Sequence, residues 1–419
     1  MIYVPARMGQ LNRRALLRRL LKFGVASRAD LAKSLGMSQP TAGKIVDELL
    51  AAGVLEEIEL AENPGGESLR GRPGRQLRLN QSRPCLLAIK LGLEKTGVAP
   101  LSLNIPDLDQ WRFSFPLAQD EPQPDRAWEK QLRSVAKTMG GQDFLGVLLS
   151  VPGIVDEKQN RVLFSPNLHW TEQADLAAIV RRIWDVPVIL VQEERALALG
   201  YHHTHLDCED FLLVDFGEGV GGAIIVDGKP IANPLPISGE IGHTPVFGNR
   251  RRCGCGATGC METLVSLRGL LESFSEAQGR EKSSWADLQK HISEQGIPVW
   301  LAQSLEAAAV SIAGALNVLG LRRVVITGSL TELPPAVVAH LARSIQDGSM
   351  WAKFGAMECV AAPHRRTAGL VAIGLDRLVV PDTPEEDLPP QTIFRRQPVL
   401  LASQKLNHKK SIHHEIRVS

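Results

Sequence analysis

The sequence lacks any run of apolar residues that could cross a bilayer. No stretch approaches 18 uncharged apolar residues, whereas a spanning helix needs about 20. It also lacks the small-residue cleavage site of a secretory leader, and its first apolar run, within residues 1–21, is broken by basic residues throughout. From these absences a cytoplasmic chain is expected. No internal repeat is visible, and no charge of one sign dominates, with 47 Lys and Arg against 46 Asp and Glu. The net charge of +1 therefore says little about partners until it is divided along the chain.

Divided, it becomes informative. Residues 1–50 hold nine Lys and Arg against three acids, which leaves +6 in the head and a slightly acidic remainder. Such asymmetry suits a nucleic-acid-facing module joined to a body of another kind, although a solvated basic helix face accounts for the charge alone. Periodicity adds detail. Leu11, Leu16, Leu17, Leu20 and Leu21 follow helical spacing up to Gly24. Ser27 then reads as the N-cap of a second helix ending at Gly36, and Ser38 as the cap of a third with Ile45, Val46, Leu49 and Leu50 as its apolar stripe. Two short helices joined by a glycine turn make a helix-turn-helix. Ser38, Gln39, Thr41 and Lys44 lie off the stripe of the third helix, where they would face a major groove.

After Gly53, VLEEIEL and RQLRLN alternate with period 2 and predict a two-stranded wing. The loop between them contains RGRPGR, which sets Arg70, Arg72 and Arg75 on a slim, turning backbone suited to a narrow minor groove. The head is thus predicted as a winged helix-turn-helix over residues 1–83. From Pro84 to 380 the composition is that of an α/β body, with residues 299–320 as a long, largely buried helix before the strand RRVVITGSL. From 381 onward, Pro and acids give way to Lys and His, the signature of a disordered tail.

Three of six cysteines fall within eight positions, in RRCGCGATGC. In a reducing compartment such a cluster points to a metal site or to thiol chemistry before a disulfide. Cys85, Cys208 and Cys359 read as core residues, and His202, His203 and His205 as a solvated loop.

An ordered series of segments now carries a resemblance: CLLAIKLGLEKTGVAPLSLN, LGVLLSVPGIVDEKQNRVLFSPNLHW, VPVILVQEERALALG, FLLVDFGEGVGGAIIVDGKPI and GEIGHTPV, followed by the cysteine segment. With the head, these resemble the ROK family of sugar kinases and sugar-responsive repressors. The resemblance implies a two-lobed actin-like (ribonuclease H-like) body. It also implies a structural zinc ion on His243, Cys253, Cys255 and Cys260, a full tetrahedron that leaves no open coordination position. Sugar hydroxyls would be held by Glu240, His243 and Glu262, with Asn167, Gln192 and Glu193 as further ligands and Trp170 supporting the wall.

Three departures from the family pattern argue against phosphotransfer. The first-hairpin turn, an Asp-Gly-Gly-Thr-like run in the kinases, begins here with Lys90. In the second phosphate loop, Glu218 stands where a hydroxyl belongs. A carboxylate about 4 Å from a phosphate oxygen costs on the order of 4 kcal/mol at an effective dielectric of 20. The kinases' catalytic base falls on Glu193, one methylene longer than their aspartate, and positioning errors of about 1 Å reduce rates about a hundredfold. The resemblance with these departures implies a repressor that binds operator DNA as a homodimer or homotetramer and senses a monosaccharide or derivative, its kinase-like body no longer an enzyme. The rival reading is an active sugar kinase with a fused head.

Overall fold

The computed structural model describes residues 5–58, 75–81, 84–103, 109–117, 121–231 and 237–379. Arg70, Arg72 and the tail from 381 lie outside the described residues.

The head opens with helix α1 (Pro5–Phe23), followed by strand β1 (Ala26–Ser27), α2 (Arg28–Ser34), α3 (Gln39–Ala51) and strands β2 (Leu55–Ile58) and β3 (Gln76–Leu79). Ser27 starts α2 with a reciprocal cap: its hydroxyl accepts from the Asp30 N–H at 3.1 Å, while the Asp30 carboxylate accepts from the Ser27 N–H at 3.2 Å. Ser38 caps α3 by accepting from the Thr41 N–H at 3.3 Å. The two-stranded wing is in fact three-stranded, in the order β1-β3-β2, because β1 adds to its edge. Leu16, Leu20, Leu31, Val46 and Leu77 close the head's core. Leu11 is 43% exposed, whereas Leu16, Leu17 and Leu20 of the same helix are buried.

The body consists of two lobes with matching sheets. In chain order the first contributes β4 (Leu86–Leu91), β5 (Lys95–Leu101), β6 (Phe113–Pro116), α4 (Pro124–Met139), β7 (Gly146–Val151), the small hairpin β8 (Ile154–Asp156) and β9 (Arg161–Phe164), α5 (Leu176–Trp184) and β10 (Val188–Gln192). Helix α6 (Glu193–Thr204) leads into the second lobe: β11 (Phe211–Phe216), β12 (Val220–Val226), β13 (Lys229–Pro230), α7 (Glu262–Val265), α8 (Leu267–Ala277), α9 (Trp285–Gln295), α10 (Val299–Leu319), β14 (Arg323–Gly328), α11 (Pro335–Gly348) and β15 (Glu358–Ala361). Helix α12 (Arg366–Gly374) continues as one wide turn over Leu375–Val379.

Each body sheet is a three-stranded antiparallel meander extended by two parallel strands, in the orders β10-β7-β4-β5-β6 and β15-β14-β11-β12-β13. The repetition is one of topology, and no repeated residue pattern announced it. The strands nearest the centre are buried along their whole length and mostly apolar, Gly146–Val151 interrupted by Ser150 and Phe211–Phe216 by Asp215, because both faces are covered.

Helices α6 and α12 lie backbone to backbone. A Cβ on Gly369 would sit 1.9 Å from the Ala196 carbonyl oxygen, and one on Gly200 would sit 1.8 Å from that of Arg365. Only glycine allows this approach.

Head and body share one apolar cluster, in which Leu16, Leu17 and Leu20 join Leu370, Val371 and Leu375. The contact is reinforced by polar groups: Arg14 donates to the Asp376 carbonyl at 2.9 Å, and Arg18 pairs with its carboxylate at 3.2 Å.

Several sequence expectations need correction. Helix α10 is apolar and long enough to cross a membrane by length and composition, but it packs Leu301, Leu305, Ile312 and Leu316 into the second lobe. It is not largely buried, since Val299, Val310 and Val318 face outward. His202 and His203 fall in the last turn of α6 instead of in a loop, and His205 follows as its C-cap. There the His203 Nδ1 is buried, and His205 stacks on Tyr201 at 4.2 Å. Cys208 is buried as expected, whereas Cys85 and Cys359 are half-buried. Trp170 packs against Trp128 in the first lobe, 6.2 Å between ring centroids, and is not among the residues lining the cleft.

Candidate functional site

The hairpin tips of β4–β5 and β11–β12, the start of α6, the turn Ile241–His243 and the start of α7 converge on the cleft between the lobes. This is the carboxyl end of the parallel strands, where α/β folds bind their ligands. The cavity they enclose measures about 220 Å³. Its lining includes six carboxylates, from Glu193, Glu194, Asp215, Glu218, Glu240 and Glu262, and a single Lys or Arg, Lys90.

Most of these carboxylates have a defined partner. Glu193 is paired with Arg366, which is itself only 1% exposed, and lies 4.0 Å from the Lys90 ammonium. The same guanidinium reaches Asp109 at 3.4 Å, and Asp109 in turn accepts from the Thr367 N–H at 2.8 Å. Burial and four carboxylates, Glu193 and Asp109 foremost, act on Arg366 in opposite directions; the carboxylates prevail and raise its pKa. Asp215 accepts from the Thr327 hydroxyl and from His364 Nε2, each at 2.6 Å. Burial pushes the Asp215 carboxyl upward, but these partners outweigh it and hold it below its usual range. Glu262 accepts from the Val220 N–H at 2.9 Å.

The remaining carboxyl groups are held toward the neutral form. Burial first, then the neighbouring Glu193 and Glu240, push Glu194 well above the ordinary glutamate value. Its side chain lies so close to the second hairpin that a Cβ on Gly221 would sit 2.5 Å from its Oε1. Burial likewise raises Glu218 and Glu240. Glu218 turns across the cleft to accept the Leu93 N–H at 2.8 Å, so the two hairpin tips are tied to each other.

Beside the cavity, His243, Cys253, Cys255 and Cys260 place one donor atom each within 4.8 Å of one another. Cys253 Sγ lies 3.6 Å from His243 Nδ1, and the sulfurs of Cys255 and Cys260 are 3.6 Å apart. Tetrahedral zinc with Zn–S bonds of about 2.3 Å sets its sulfurs about 3.8 Å apart, so the four residues fit such an ion. Burial pushes the Cys253 and Cys260 thiols upward, and a bound cation would reverse that preference. The other nitrogen of His243 points to Glu240, 3.7 Å away. A ligand histidine turning its free nitrogen to a carboxylate is the usual outer partner of a metal site. The loop also touches the cavity wall, since a Cβ on Gly254 would meet Asn167 Oδ1 at 2.8 Å. Arg251 does not face the sulfurs; it donates to the Thr263 carbonyl and Ser273 and pairs with Glu276.

Of the expected sugar ligands, Asn167, Glu193, Glu240, His243 and Glu262 meet in the cavity. Gln192 does not line it: as the last residue of β10 it offers its N–H to Glu157 at 3.4 Å. Arg195 also points away, pairing with Glu157 at 3.3 Å. Sequence reasoning missed Glu194, Asp215, His364 and Arg366. Asp215 stood inside a quoted motif, but nothing in PHRRTAG marked His364 as a cleft residue or Arg366 as the buried partner of Glu193.

In the head, Ser38, Gln39, Thr41 and Lys44 are all exposed along one side of α3. The hydroxyls of Ser38 and Thr41 lie 2.8 Å apart. Arg75, expected at a minor groove, pairs with Glu57 at 2.6 Å. Lys44 has no ion partner among the described residues.

Comparison with known proteins places this geometry. The chain is 25% identical over 393 residues to the xylose repressor of Caldicellulosiruptor bescii, an overlap of 89% of this chain and 96% of that protein. It is 25% identical to the xylose repressor of Bacillus subtilis, over 83% of this chain and 89% of the other. Among solved structures, a ROK family transcriptional regulator described as a homolog of E. coli MLC aligns with a TM-score of 0.69 at 20% identity, covering 88% of this chain and 97% of its own. A ROK glucokinase from Streptomyces griseus, in complex with glucose and AMPPNP, aligns with a TM-score of 0.54 at 22% identity, over 68% of this chain and 96% of that one. The kinase likeness is one of fold and covers the body's share of the length. The model of the ROK family matches residues 87–375, from the first body strand to the end of α12, and this chain belongs to that family.

Proposed function

We propose that this chain is a sugar-responsive DNA-binding repressor whose body binds a monosaccharide or derivative without phosphorylating it. The observation that carries the reading is the hydrogen bond from the Leu93 N–H to Glu218, which closes the two hairpin tips over the place a phosphate chain would occupy. A glutamate there uses up a backbone donor that would cradle phosphate and, whenever it is ionised, repels the phosphate as well. Glu193, at the position of the kinases' base, has its Oε1 engaged by Arg366 and near Lys90, two cations that stabilise its ionised form and weaken it as an acceptor of a substrate proton. The sugar is left with acceptors suited to hydroxyls, in Asn167, Glu240 and Glu262.

The residues between cleft and head supply a route for the response. Helix α12 begins at Arg366, in contact with Glu193, and its continuation carries Asp376, held by Arg14 and Arg18 of α1. A sugar that displaces Glu193 therefore acts on the element that grips the head. We assign residues 1–83 to DNA binding, 84–380 to sensing, and zinc to the four-residue cluster as a structural ion. Two-fold pairing of chains would set two recognition helices about 34 Å apart or a multiple of it, one duplex turn.

Fluorescence anisotropy of a palindromic operator, titrated with and without a sugar panel and at several salt concentrations, tests the reading. The expected sugar effect is about 5–150-fold in affinity. A parallel ADP-release assay should give no turnover. Steady turnover near about 1–100 s⁻¹ would restore the kinase reading.

A further inference from the structure

We infer that the outer chamber of the cleft is a second sugar subsite and that the effector is a neutral disaccharide. This rests on the sugar reading above and extends it from one ring to two. The inner cavity, at about 220 Å³, is smaller than the roughly 300–1,000 Å³ of ordinary ligand sites and suits a single ring. It does not end there. Leu93, Asn167, Glu218 and Leu267 line both this cavity and a larger one of about 590 Å³ that opens between the β4–β5 tip, α8 and residues 280–283.

The chemistry of the outer chamber fits a second ring. Leu93, Leu267 and Leu271 form an apolar wall on which the C–H face of a pyranose can lie. Ser283 lines the same chamber; it is only 7% exposed, and its hydroxyl is buried without a hydrogen-bond partner. An unsatisfied buried hydroxyl is unfavourable, and a sugar hydroxyl, donor and acceptor at once, can satisfy it. The rim carries three Lys or Arg against five Glu, a balance that disfavours a nucleotide or sugar phosphate and accepts an uncharged unit.

The experiment is calorimetric titration of the full chain with matched pairs: xylose and xylobiose, glucose and cellobiose, glucose and maltose, galactose and lactose, with ATP as a further ligand. One disaccharide should bind about tenfold more tightly than its own monosaccharide. Leu271→Arg, which fills the outer chamber, should remove that advantage while leaving the monosaccharide affinity in place, and this retained affinity shows that the variant is folded. Ser283→Ala should weaken the disaccharide about fivefold and leave the monosaccharide unchanged. If a monosaccharide binds as tightly as every disaccharide, or if Leu271→Arg leaves the advantage intact, the second subsite is refuted and the sugar reading stands. Saturable ATP binding that Leu271→Arg abolishes would also refute it, by assigning the chamber to nucleotide. If no sugar binds at all, the sugar reading itself falls.

Discussion

Arg366 and Glu193, 173 residues apart in the chain, form a buried ion pair where α12 meets the start of α6. Removing one partner leaves the other's charge uncompensated, together with Asp109. Arg366→Met should therefore lower unfolding free energy by about 3–5 kcal/mol, read from urea denaturation. The double change Arg366→Met with Glu193→Met should recover most of that loss. A single-variant effect below about 1 kcal/mol would mean the pair contributes little.

The cysteine cluster should hold one zinc per chain, measured by elemental analysis of the purified protein. Cys255→Ser or prolonged chelation should lower the melting temperature. It should also weaken sugar binding, because the loop touches Asn167 through Gly254 and Glu240 through His243. Loss of metal with unchanged sugar affinity would disconnect the loop from the cavity.

On the DNA side, Lys44 is exposed on α3 and free of an ion partner among the described residues, whereas Arg75 is engaged with Glu57. Lys44→Ala should weaken operator binding and reduce the slope of log affinity against log salt by about 1. Arg75→Ala should have the smaller effect on that slope. The reverse order would show that the wing, and not α3, makes the phosphate contact.

His203 gives the chain a predictable acid sensitivity. Burial first, then His202, lowers its pKa from 6.5 to about 4. The unfolded chain therefore binds a proton that the folded chain refuses between about pH 6.5 and 4. Stability is full above 6.5 and declines as pH falls through this window, by up to about 3 kcal/mol. His203 lines a crevice between α1 and the end of α12, so the loss falls where head meets body. His203→Gln should flatten this part of the pH profile relative to the parent chain, as measured by denaturant midpoints. Parallel profiles for the two proteins would refute the assignment.

Legibility in the sequence followed the range of the interactions. The caps at Ser27 and Ser38 and the apolar stripe of α3 depend on neighbours within a few residues, and they were read correctly. The four residues of the Cys and His cluster were legible because three of them sit within eight positions and the family resemblance supplies His243 as the fourth. Arg366 and His364 escaped because their partners, Glu193 and Asp215, lie more than a hundred residues away. Gln192 was misplaced for a related reason: alternation along β10 and the turn into α6 decide which side chains enter the cavity, and a register shift of one residue moves a side chain to the opposite face. The outward face of α10 was hidden by composition, since Val299, Val310 and Val318 look like core residues until their neighbours are known.

The β4–β5 and β11–β12 hairpins hold equivalent places in the two sheets, and it is their tips that meet through Leu93 and Glu218. The two lobes are thus tied across the cleft by counterparts, at two turns that lie outside the strands of either sheet. A scaffold built in this way can move between transforming a ligand and merely registering it through changes at its fingertips, with both palms left untouched.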